Sequence, residues 1–316
     1  MEDETSEGIR LVLKINNITI EGPDLSGKTT LYNMLHEKTE YRWNIQDRSQ
    51  LSMICYARQY ERGPEVVNLW RSRLDEFLYD LNNRLIVLLP NLSVINKRYE
   101  VRGDEIQNLD SLYSLYEIFT DEVKRIEDFP NVLVLRGDGS EDLTTKCLAF
   151  CVPPERYKPW DVSSEIVQAV DRTAGKEISP LKFTLTIDNP EELLDDSDIM
   201  THSDEEVYYA NILHKVLKNI QDENAGKNEY GVPQSTFTTR RYIFTQDTCI
   251  SLIHTMVRGT SMEMNVVCRS SDVVKTFPYD LRFLVYLFGR VYRKLDVVGV
   301  ENFKMRVTLN SAHMIE

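Results

Sequence analysis

The sequence predicts two folded units, an α/β domain with a parallel sheet followed by a smaller α+β domain. In its first half, apolar segments of strand length alternate with amphipathic helical segments, which is typical of a parallel sheet covered on both faces. A turn bracketed by Gly22 and Gly27 separates the first apolar run from the first helical segment. Beyond Pro153-Pro154, consecutive strand-like segments precede a long apolar helix, which indicates a second kind of domain.

The elements of the first domain follow from apolar spacing. The apolar run over 11–20 precedes the glycine turn, a helix-forming segment follows the turn, and WNIQ is a short strand. The remaining pattern predicts helices over 50–60, 64–82 and 110–128, and buried strands over 85–89 and 131–135. We place this domain at residues 1–155 and a linker at 156–180.

The second domain, placed at residues 181–316, has a different order. Helical periodicity over 207–220 is followed by strands over 241–245, 250–257 and 261–268, an apolar helix over 278–295 and a strand over 303–309. Gly259 lies between two of these strands and predicts a hairpin turn. A helix over 163–171 lies in the linker, and the acidic segment 188–206 is interpreted as a solvated linker or face.

The composition is that of a soluble globular protein with an acidic excess. The chain has 316 residues, of which 42% are hydrophobic and 28% charged, and its formal net charge is −13. Such a charge repels a polyanion, so nucleic acid is not favoured as a partner, whereas a small anionic nucleotide needs only a local basic pocket. No apolar run reaches membrane-spanning length and the first residues are acidic, so we expect no membrane partner and a cytoplasmic location. Five cysteines without a CxxC pair and five scattered histidines imply neither zinc nor disulfides.

The glycine turn has the spacing of a phosphate-binding loop (P-loop). In that pattern, backbone N–H groups surround an anion and the following helix adds its positive N-terminal end. Lys28 would contact the β- and γ-phosphates of ATP, and the Thr29 hydroxyl would bind Mg²⁺. The expected nucleotide-binding residues are Gly22, Asp24, Ser26, Gly27, Lys28, Thr29 and Thr30.

Two further groups of charged residues suit a kinase site, which needs a carboxylate near the metal or acceptor and cations around the transferred phosphoryl group. Asp47-Arg48 follow the strand WNIQ, at the strand end where open α/β sheets place their ligands. Arg98 and Arg102, the latter next to Gly103, suit a lid that closes over phosphates. An ordinary charged helix end is the alternative interpretation of the same residues.

Together these motifs resemble the thymidylate kinases. EGPDLSGKTT is similar to their EGxDGxGKTT loop, and DRSQLS is similar to the Asp-Arg motif that they share with deoxyribonucleoside kinases. Residues 10–140 resemble the compact thymidylate-kinase-like proteins of bacteriophages, for which the location would be the host cytoplasm. The resemblance implies ATP and Mg²⁺, with Asp47 at the metal or acceptor, Arg48 on the acceptor phosphate, and Arg98 or Arg102 in the lid. It identifies no general base, and it leaves open a nucleoside monophosphate or a hydroxymethylated base in DNA as the acceptor.

A second motif lies near the end of the chain. Residues 269–281 read RSSDVVKTFPYDL, and Cys249 precedes Arg269 by 20 residues. Thymidylate synthases carry the similar segment RSxDxxLGxPFN before a long apolar helix, with the same spacing between cysteine and arginine. Ala312-His313 also resemble part of that family's DAHIY segment. Residues 181–316 therefore resemble a shortened thymidylate synthase or deoxycytidylate hydroxymethylase, which implies a homodimer.

The synthase resemblance implies a pyrimidine nucleotide site. Cys249 would add to C6 of the base and activate C5 toward a one-carbon unit carried by a tetrahydrofolate derivative. Arg269 and Ser270 would hold the 5′-phosphate. Asp272 would border the base, and Asp280 suits the 4-amino group of cytosine. The remaining substrate-binding residues are His313 and, as matches to arginines donated across the family's dimer, Arg240 and Arg241, although the YGVPQSTF before these arginines also resembles the family's N-terminal segment.

The synthase-like segment also departs from its family. Asp247-Thr248 replace a proline pair, Ile250 replaces a histidine and Cys268 replaces a glutamine. Two interpretations stay open, a catalytic domain and a degenerate one retained for nucleotide binding or dimerisation. For the whole chain we expect an ATP-dependent kinase of a pyrimidine deoxynucleoside monophosphate. The alternatives are a kinase of hydroxymethylated pyrimidine bases in DNA and a non-catalytic nucleotide-binding or assembly protein.

Overall fold

The computed structural model describes residues 11–13, 15–104, 107–137, 143–152, 159–173, 175–190, 206–228, 239–295 and 299–315. The strands in these ranges are β1 (Leu11–Leu13), β2 (Asn17–Glu21), β3 (Ile45–Asp47), β4 (Asn83–Pro90), β5 (Val132–Gly137), β6 (Glu177–Ile178), β7 (Leu181–Ile187), β8 (Thr239–Thr245), β9 (Ile250–Arg258), β10 (Ser261–Cys268), β11 (Ser271–Asp272), β12 (Asn302–Leu309) and β13 (Ala312–His313). The helices are α1 (Lys28–Lys38), α2 (Gln50–Gln59), α3 (Pro64–Leu78), α4 (Leu92–Arg102), α5 (Leu109–Lys124), α6 (Leu143–Cys151), α7 (Pro159–Asp171), α8 (Glu206–Asn228) and α9 (Phe277–Leu295).

The chain divides into two compact units. One unit covers Ile15–Pro153, and the other covers Met1–Lys14 together with Pro154–Glu316. The segment 156–180, which we predicted as a linker, carries α7 and β6 within the second unit. The inclusion of Leu11–Leu13 in the second unit does not follow from the sequence.

The unit Ile15–Pro153 is an α/β fold around a four-stranded parallel sheet with the order β3-β2-β4-β5. Every residue of β4 is buried, as expected for a strand covered on both faces. One face packs a core of apolar side chains from β2 and β4 against α1 and α6, including Ile20, Leu35, Ile86 and Cys147. The predicted parallel sheet is therefore present, and the loop after β2 opens at the carboxyl end of a central strand.

The apolar run over 11–20 is not one strand, which corrects the expectation from the sequence. Only β2 enters the parallel sheet, whereas β1 pairs antiparallel with β7 in the second unit. The polar residues Asn16 and Asn17 separate the two apolar stretches, and the Asn16 N–H bonds to the Asn82 carbonyl 2.8 Å away. The sequence also gave no prediction of helices α4 and α6, and α3 ends at Leu78 rather than near residue 82.

The second unit contains a six-stranded mixed sheet with the order β1-β7-β12-β10-β9-β8 and a three-stranded sheet with the order β11-β13-β6. Alternate residues of β10, from Met262 to Cys268, are buried. The strongly apolar α9 connects β10, by way of β11, to β12, which lies parallel beside β10. The predicted hairpin is confirmed, because Gly259 and Thr260 alone join the paired residues Arg258 and Ser261. Strand β7 was not predicted.

Within the described ranges, no helix is both long enough and apolar enough to cross a membrane.

Candidate functional site

The loop between β2 and α1 has the backbone of an anion cradle. Gly22 and Gly27 have φ angles of 145° and 100°, and Leu25 between them has 62°, so the chain turns sharply and repeatedly. A β-carbon on Gly22 would lie 2.4 Å from the carbonyl oxygen of Leu88 in β4, so only glycine fits there. The loop leads into the N-terminus of α1, where unsatisfied N–H groups and the helix dipole favour an anion.

Lys28 lies across this loop. Its side chain is buried, and its ammonium donates to the carbonyls of Gly22 and Pro23, each at 2.7 Å. These bonds use two of the three N–H donors of the ammonium. Burial lowers the pKa of Lys28, and the nearby Asp24 carboxylate opposes that effect. A phosphate at the loop would therefore meet a positive charge already fixed in place.

The two residues expected at Mg²⁺ are neighbours. The Thr29 hydroxyl donates to Oδ2 of Asp47 at 3.4 Å, and both side chains are exposed to solvent. Mg²⁺ typically takes one or two protein oxygens and completes its shell with water and substrate phosphates. A hydroxyl and a carboxylate side by side next to a phosphate loop fit that requirement.

Asp24 connects the phosphate loop to the Asp47-Arg48 segment. Its carboxylate accepts from the Arg48 guanidinium at 3.0 Å and from the Tyr56 hydroxyl at 2.6 Å. Burial, followed by the hydrogen bond to Asp24, raises the pKa of Tyr56. Arg48 adopts a φ of 74°, a left-handed conformation that a residue with a side chain adopts only where its surroundings hold it.

A cleft of about 510 Å³ opens beside these residues. Its lining brings together seven predicted site residues, which are Asp24, Gly27, Lys28, Thr29, Thr30, Arg48 and Arg102. Gly103, named with Arg102 in the predicted lid, also lines it, as do Leu25 and Asp104, which were not predicted site residues. Arg102 ends α4, and Gly103 closes that helix with a φ of 67° and an N–H bond to the Tyr99 carbonyl.

Arg98 contacts the phosphate loop. Its guanidinium donates to the Leu25 carbonyl at 2.7 Å, and a β-carbon on Gly27 would lie 3.1 Å from the same group. The two arginines that we predicted as a lid thus have different positions. Arg98 donates a hydrogen bond to the loop backbone, whereas Arg102 lines the cleft.

Glu21 is a site residue that the sequence interpretation missed. It is fully buried at the end of β2, and its carboxylate accepts hydrogen bonds from Ser49 and Ser52 at the start of α2. Burial raises the pKa of Glu21, and the hydrogen bonds from the two serines oppose that effect. Its position directly before Gly22 was the available signal. Tyr56, one turn along α2 from Ser52, was missed as well.

The second unit brings Cys249 and Arg269 together. In the β9–β10 hairpin, Ile250 pairs with Cys268, so the two residues just beyond that pair are adjacent. The Arg269 N–H donates to the Cys249 carbonyl at 2.8 Å. Cys249 is exposed, whereas the other four cysteines are buried. The spacing between these residues in the sequence is thus a property of one hairpin.

The other residues expected in the pyrimidine site lie on neighbouring elements. Asp272 and His313 pair in the short parallel ladder of β11 and β13, and Ser270 immediately precedes that ladder. Asp280 is buried at the start of α9 and accepts from the Tyr209 hydroxyl at 2.9 Å. The neighbouring Tyr208, also on α8, accepts from the Ile250 N–H at 3.0 Å. These two tyrosines were not predicted.

Arg240 and Arg241 lie in β8, but their side chains are outside the described part of the chain, as is the segment 230–237 before them. No group of three or more metal-binding His, Cys, Asp or Glu side chains occurs among the described residues.

Comparisons with known proteins add little to this geometry. No protein family model matches the chain, and no curated protein sequence matches it. Among solved structures, the chain is similar to the YorR protein of Bacillus subtilis, crystallised in complex with phosphorylated GDP. The two share 18% identity over 42% of this chain and 94% of YorR, with a TM-score of 0.32.

Proposed function

We propose that the protein is an ATP-dependent kinase that phosphorylates a pyrimidine deoxynucleoside monophosphate. The observation that carries the proposal is the cleft, which is lined by the phosphate loop with Thr29 and by the cations Arg48 and Arg102. The Asp47 carboxylate adjoins this lining through its hydrogen bond with the Thr29 hydroxyl. Several cationic groups around one cleft suit two phosphate-bearing molecules better than one.

In the proposed reaction, an oxygen of the acceptor phosphate attacks the γ-phosphorus of ATP, and the bond from that phosphorus to the β–γ bridging oxygen breaks to release ADP. The loop backbone and Lys28 hold the donor phosphates. Arg48, fixed by Asp24, holds the acceptor phosphate, and Arg102 stabilises the charge on the transferred group.

Thr29 and Asp47 would hold Mg²⁺, which when bound neutralises charge on the donor phosphates. Arg98 acts indirectly, without contact to the nucleotide. Through the Leu25 carbonyl, it fixes the turn that supplies the loop N–H groups.

The choice of a pyrimidine deoxynucleotide as acceptor rests on the resemblance of the two sequence motifs. Hydroxymethylated pyrimidine bases in DNA are the alternative acceptor, and a nucleotide-binding or assembly protein is the alternative outside the kinases. A kinase that acts on DNA would need a positively charged groove, which a net charge of −13 disfavours.

The test is transfer of labelled γ-phosphate from ATP to a panel of deoxynucleoside monophosphates and to DNA with hydroxymethylated bases. Wild-type protein should label a pyrimidine monophosphate, and Lys28→Ala should reduce the rate at least about a hundredfold. Labelling of DNA alone would select the alternative acceptor. Absence of transfer to every acceptor would refute the kinase and leave a binding protein.

For the second unit we propose a pyrimidine nucleotide-binding site around Cys249 and Arg269. The supporting observation is that an exposed cysteine lies next to an arginine, with the buried carboxylate of Asp280 on the adjacent α9. Whether this site turns over is testable by release of tritium from C5 of deoxyuridylate or deoxycytidylate, with and without methylenetetrahydrofolate. Release that is unchanged in Cys249→Ser would contradict a nucleophilic cysteine.

A further inference from the structure

The Glu21 carboxylate accepts four hydrogen bonds, and their donors belong to Ser49 and Ser52 at the start of α2. Ser49 donates to Oε1 through its backbone N–H at 2.6 Å and through its hydroxyl at 3.0 Å. Ser52 donates to Oε1 through its backbone N–H at 3.2 Å and to Oε2 through its hydroxyl. The side chain is fully buried and does not line the cleft, so the carboxylate is not placed to touch a substrate.

These contacts replace the usual cap of α2. Ser49 precedes the helix but does not cap it with its own side chain, so the N–H groups of Ser49 and Ser52 depend on Glu21. Since Glu21 ends β2, the first turn of α2 is tied to the strand that carries the phosphate loop. The Arg48 N–H makes a second tie to the same strand, at the Ile20 carbonyl 3.1 Å away.

Arg48, the residue proposed to hold the acceptor phosphate, makes one of these ties and lies next to the other. Arg48 directly precedes Ser49, and its left-handed φ of 74° must be stabilised by its surroundings. Its guanidinium reaches Asp24 of the loop, and Tyr56 reaches the same carboxylate from one turn further along α2. Movement of the first turn of α2 would therefore shift both partners of Asp24.

We propose that Glu21 is a positioning residue for the acceptor side of the site, which fixes the first turn of α2 to β2 and thereby orients Arg48 toward the acceptor phosphate. The functional part of this inference rests on the proposed kinase activity, whereas the tie between Glu21 and α2 can be tested without it. Glu21 acts through Arg48 and does not itself exchange a proton with the acceptor.

Two substitutions of Glu21 separate positioning from chemistry. Glu21→Gln keeps an acceptor oxygen for the two backbone N–H groups, whereas Glu21→Leu removes every acceptor at similar size. Thr19→Val is the matched control, because Thr19 is a buried residue of the same strand whose hydroxyl has no hydrogen-bond partner in the described part of the chain. All three are compared in the full-length protein.

The first readout is steady-state kinetics with ATP and the deoxynucleoside monophosphate that the wild type phosphorylates. Glu21→Leu should raise the acceptor KM about tenfold or more and change the ATP KM by less than about threefold. Glu21→Gln should return the acceptor KM to within about threefold of wild type, and Thr19→Val should match wild type. An acceptor KM unchanged in Glu21→Leu, or equal losses in the Gln and Leu variants, would overturn the inference.

The second readout is amide hydrogen exchange, which needs no activity. In Glu21→Leu the amides of residues 49–53 should exchange at least about tenfold faster while those of α1 keep their wild-type rates. Unchanged exchange over 49–53 overturns the tie, and faster exchange throughout the unit overturns its local character. Wild-type protein without kinase activity refutes the proposed function but leaves this readout of the tie decisive.

Discussion

Replacing Gly22 by alanine tests the geometry of the phosphate loop, because both the backbone conformation and the space at this position exclude a β-carbon. Its φ of 145° is a conformation that residues with a β-carbon rarely adopt. The added carbon would also lie 2.4 Å from the Leu88 carbonyl oxygen and 2.9 Å from Oγ of Ser26. The contact with Leu88 is to a backbone atom of the buried strand β4. This atom cannot move away as the end of a flexible side chain could.

Gly137 allows the two effects to be separated. It ends β5 in the same unit, with a φ of 139°, and a β-carbon there would meet no described residue within 4 Å. Backbone strain of about 1–3 kcal/mol should therefore apply to both alanine variants. Overpacking adds about 1–3 kcal/mol for Gly22→Ala alone. We expect about 2–6 kcal/mol of destabilisation for Gly22→Ala and about 1–3 kcal/mol for Gly137→Ala.

Urea unfolding followed by tryptophan fluorescence measures this difference. The chain has three tryptophans, and a Trp160→Phe background leaves Trp43 and Trp70, which both lie in the unit Ile15–Pro153. Gly22→Ala should unfold at a clearly lower urea concentration than Gly137→Ala, with the slope unchanged. Equal midpoints for the two variants would refute the close contact between the loop and β4.

Three further experiments, two with substitutions and one with a thiol reagent, test other parts of the structure. Glu122→Gln should cost about 1–3 kcal/mol in urea titrations at pH 7, because the buried carboxylate is held by Arg58 and Arg71. Burial raises the pKa of Glu122, but the hydrogen bonds and charges of Arg71 and Arg58 outweigh it and hold the pKa below its ordinary 4.5. The stability that this carboxylate adds is therefore complete above that pH, and the difference from wild type should shrink as the pH falls below it; a constant difference would contradict this. Arg98→Ala should lower kcat/KM for ATP about tenfold through loss of the bond to the Leu25 carbonyl, whereas Lys97→Ala, at an exposed neighbour, should not; equal effects would count against a role for Arg98. Iodoacetamide followed by peptide mass spectrometry should label Cys249 first, since it is exposed while burial raises the pKa of Cys151 to about 12 and raises that of Cys268 as well. Labelling of Cys268 before Cys249 would contradict the fold of the second unit.

Much of the first unit could be predicted from local pattern. The glycine spacing of the loop, the apolar run of β4 and the amphipathic face of α5 each determine their element through short-range geometry, and the structure contains all three. The position of β1 could not be predicted in this way. Its three residues are apolar and lie close before the isoleucines of β2 in the chain, and only pairing with the distant β7 shows to which sheet they belong.

Among the site residues, too, some could be predicted from local pattern and others depend on packing between distant elements. Lys28, Thr29 and Asp47 were predictable because motif spacing fixes the ends of β2 and β3 next to the start of α1. Glu21 and Tyr56 were not, since their importance lies in hydrogen bonds to Ser49, Ser52 and Asp24 that only the packing of α2 creates. In the second unit, Tyr208 and Tyr209 of α8 reach the Cys249 turn and Asp280 across a break in the described chain.

The proposed kinase holds the donor and the acceptor phosphates in one cleft, with Arg48 on the acceptor phosphate. The most direct measurement is the KM for each substrate in phosphoryl transfer by wild type, Arg48→Ala and the exposed control Arg42→Ala. Arg48→Ala should raise the acceptor KM about tenfold or more with little change in the KM for ATP, and Arg42→Ala should match wild type. An unchanged acceptor KM in Arg48→Ala would refute the role of Arg48, and a wild type that transfers phosphate to no nucleotide would refute the kinase.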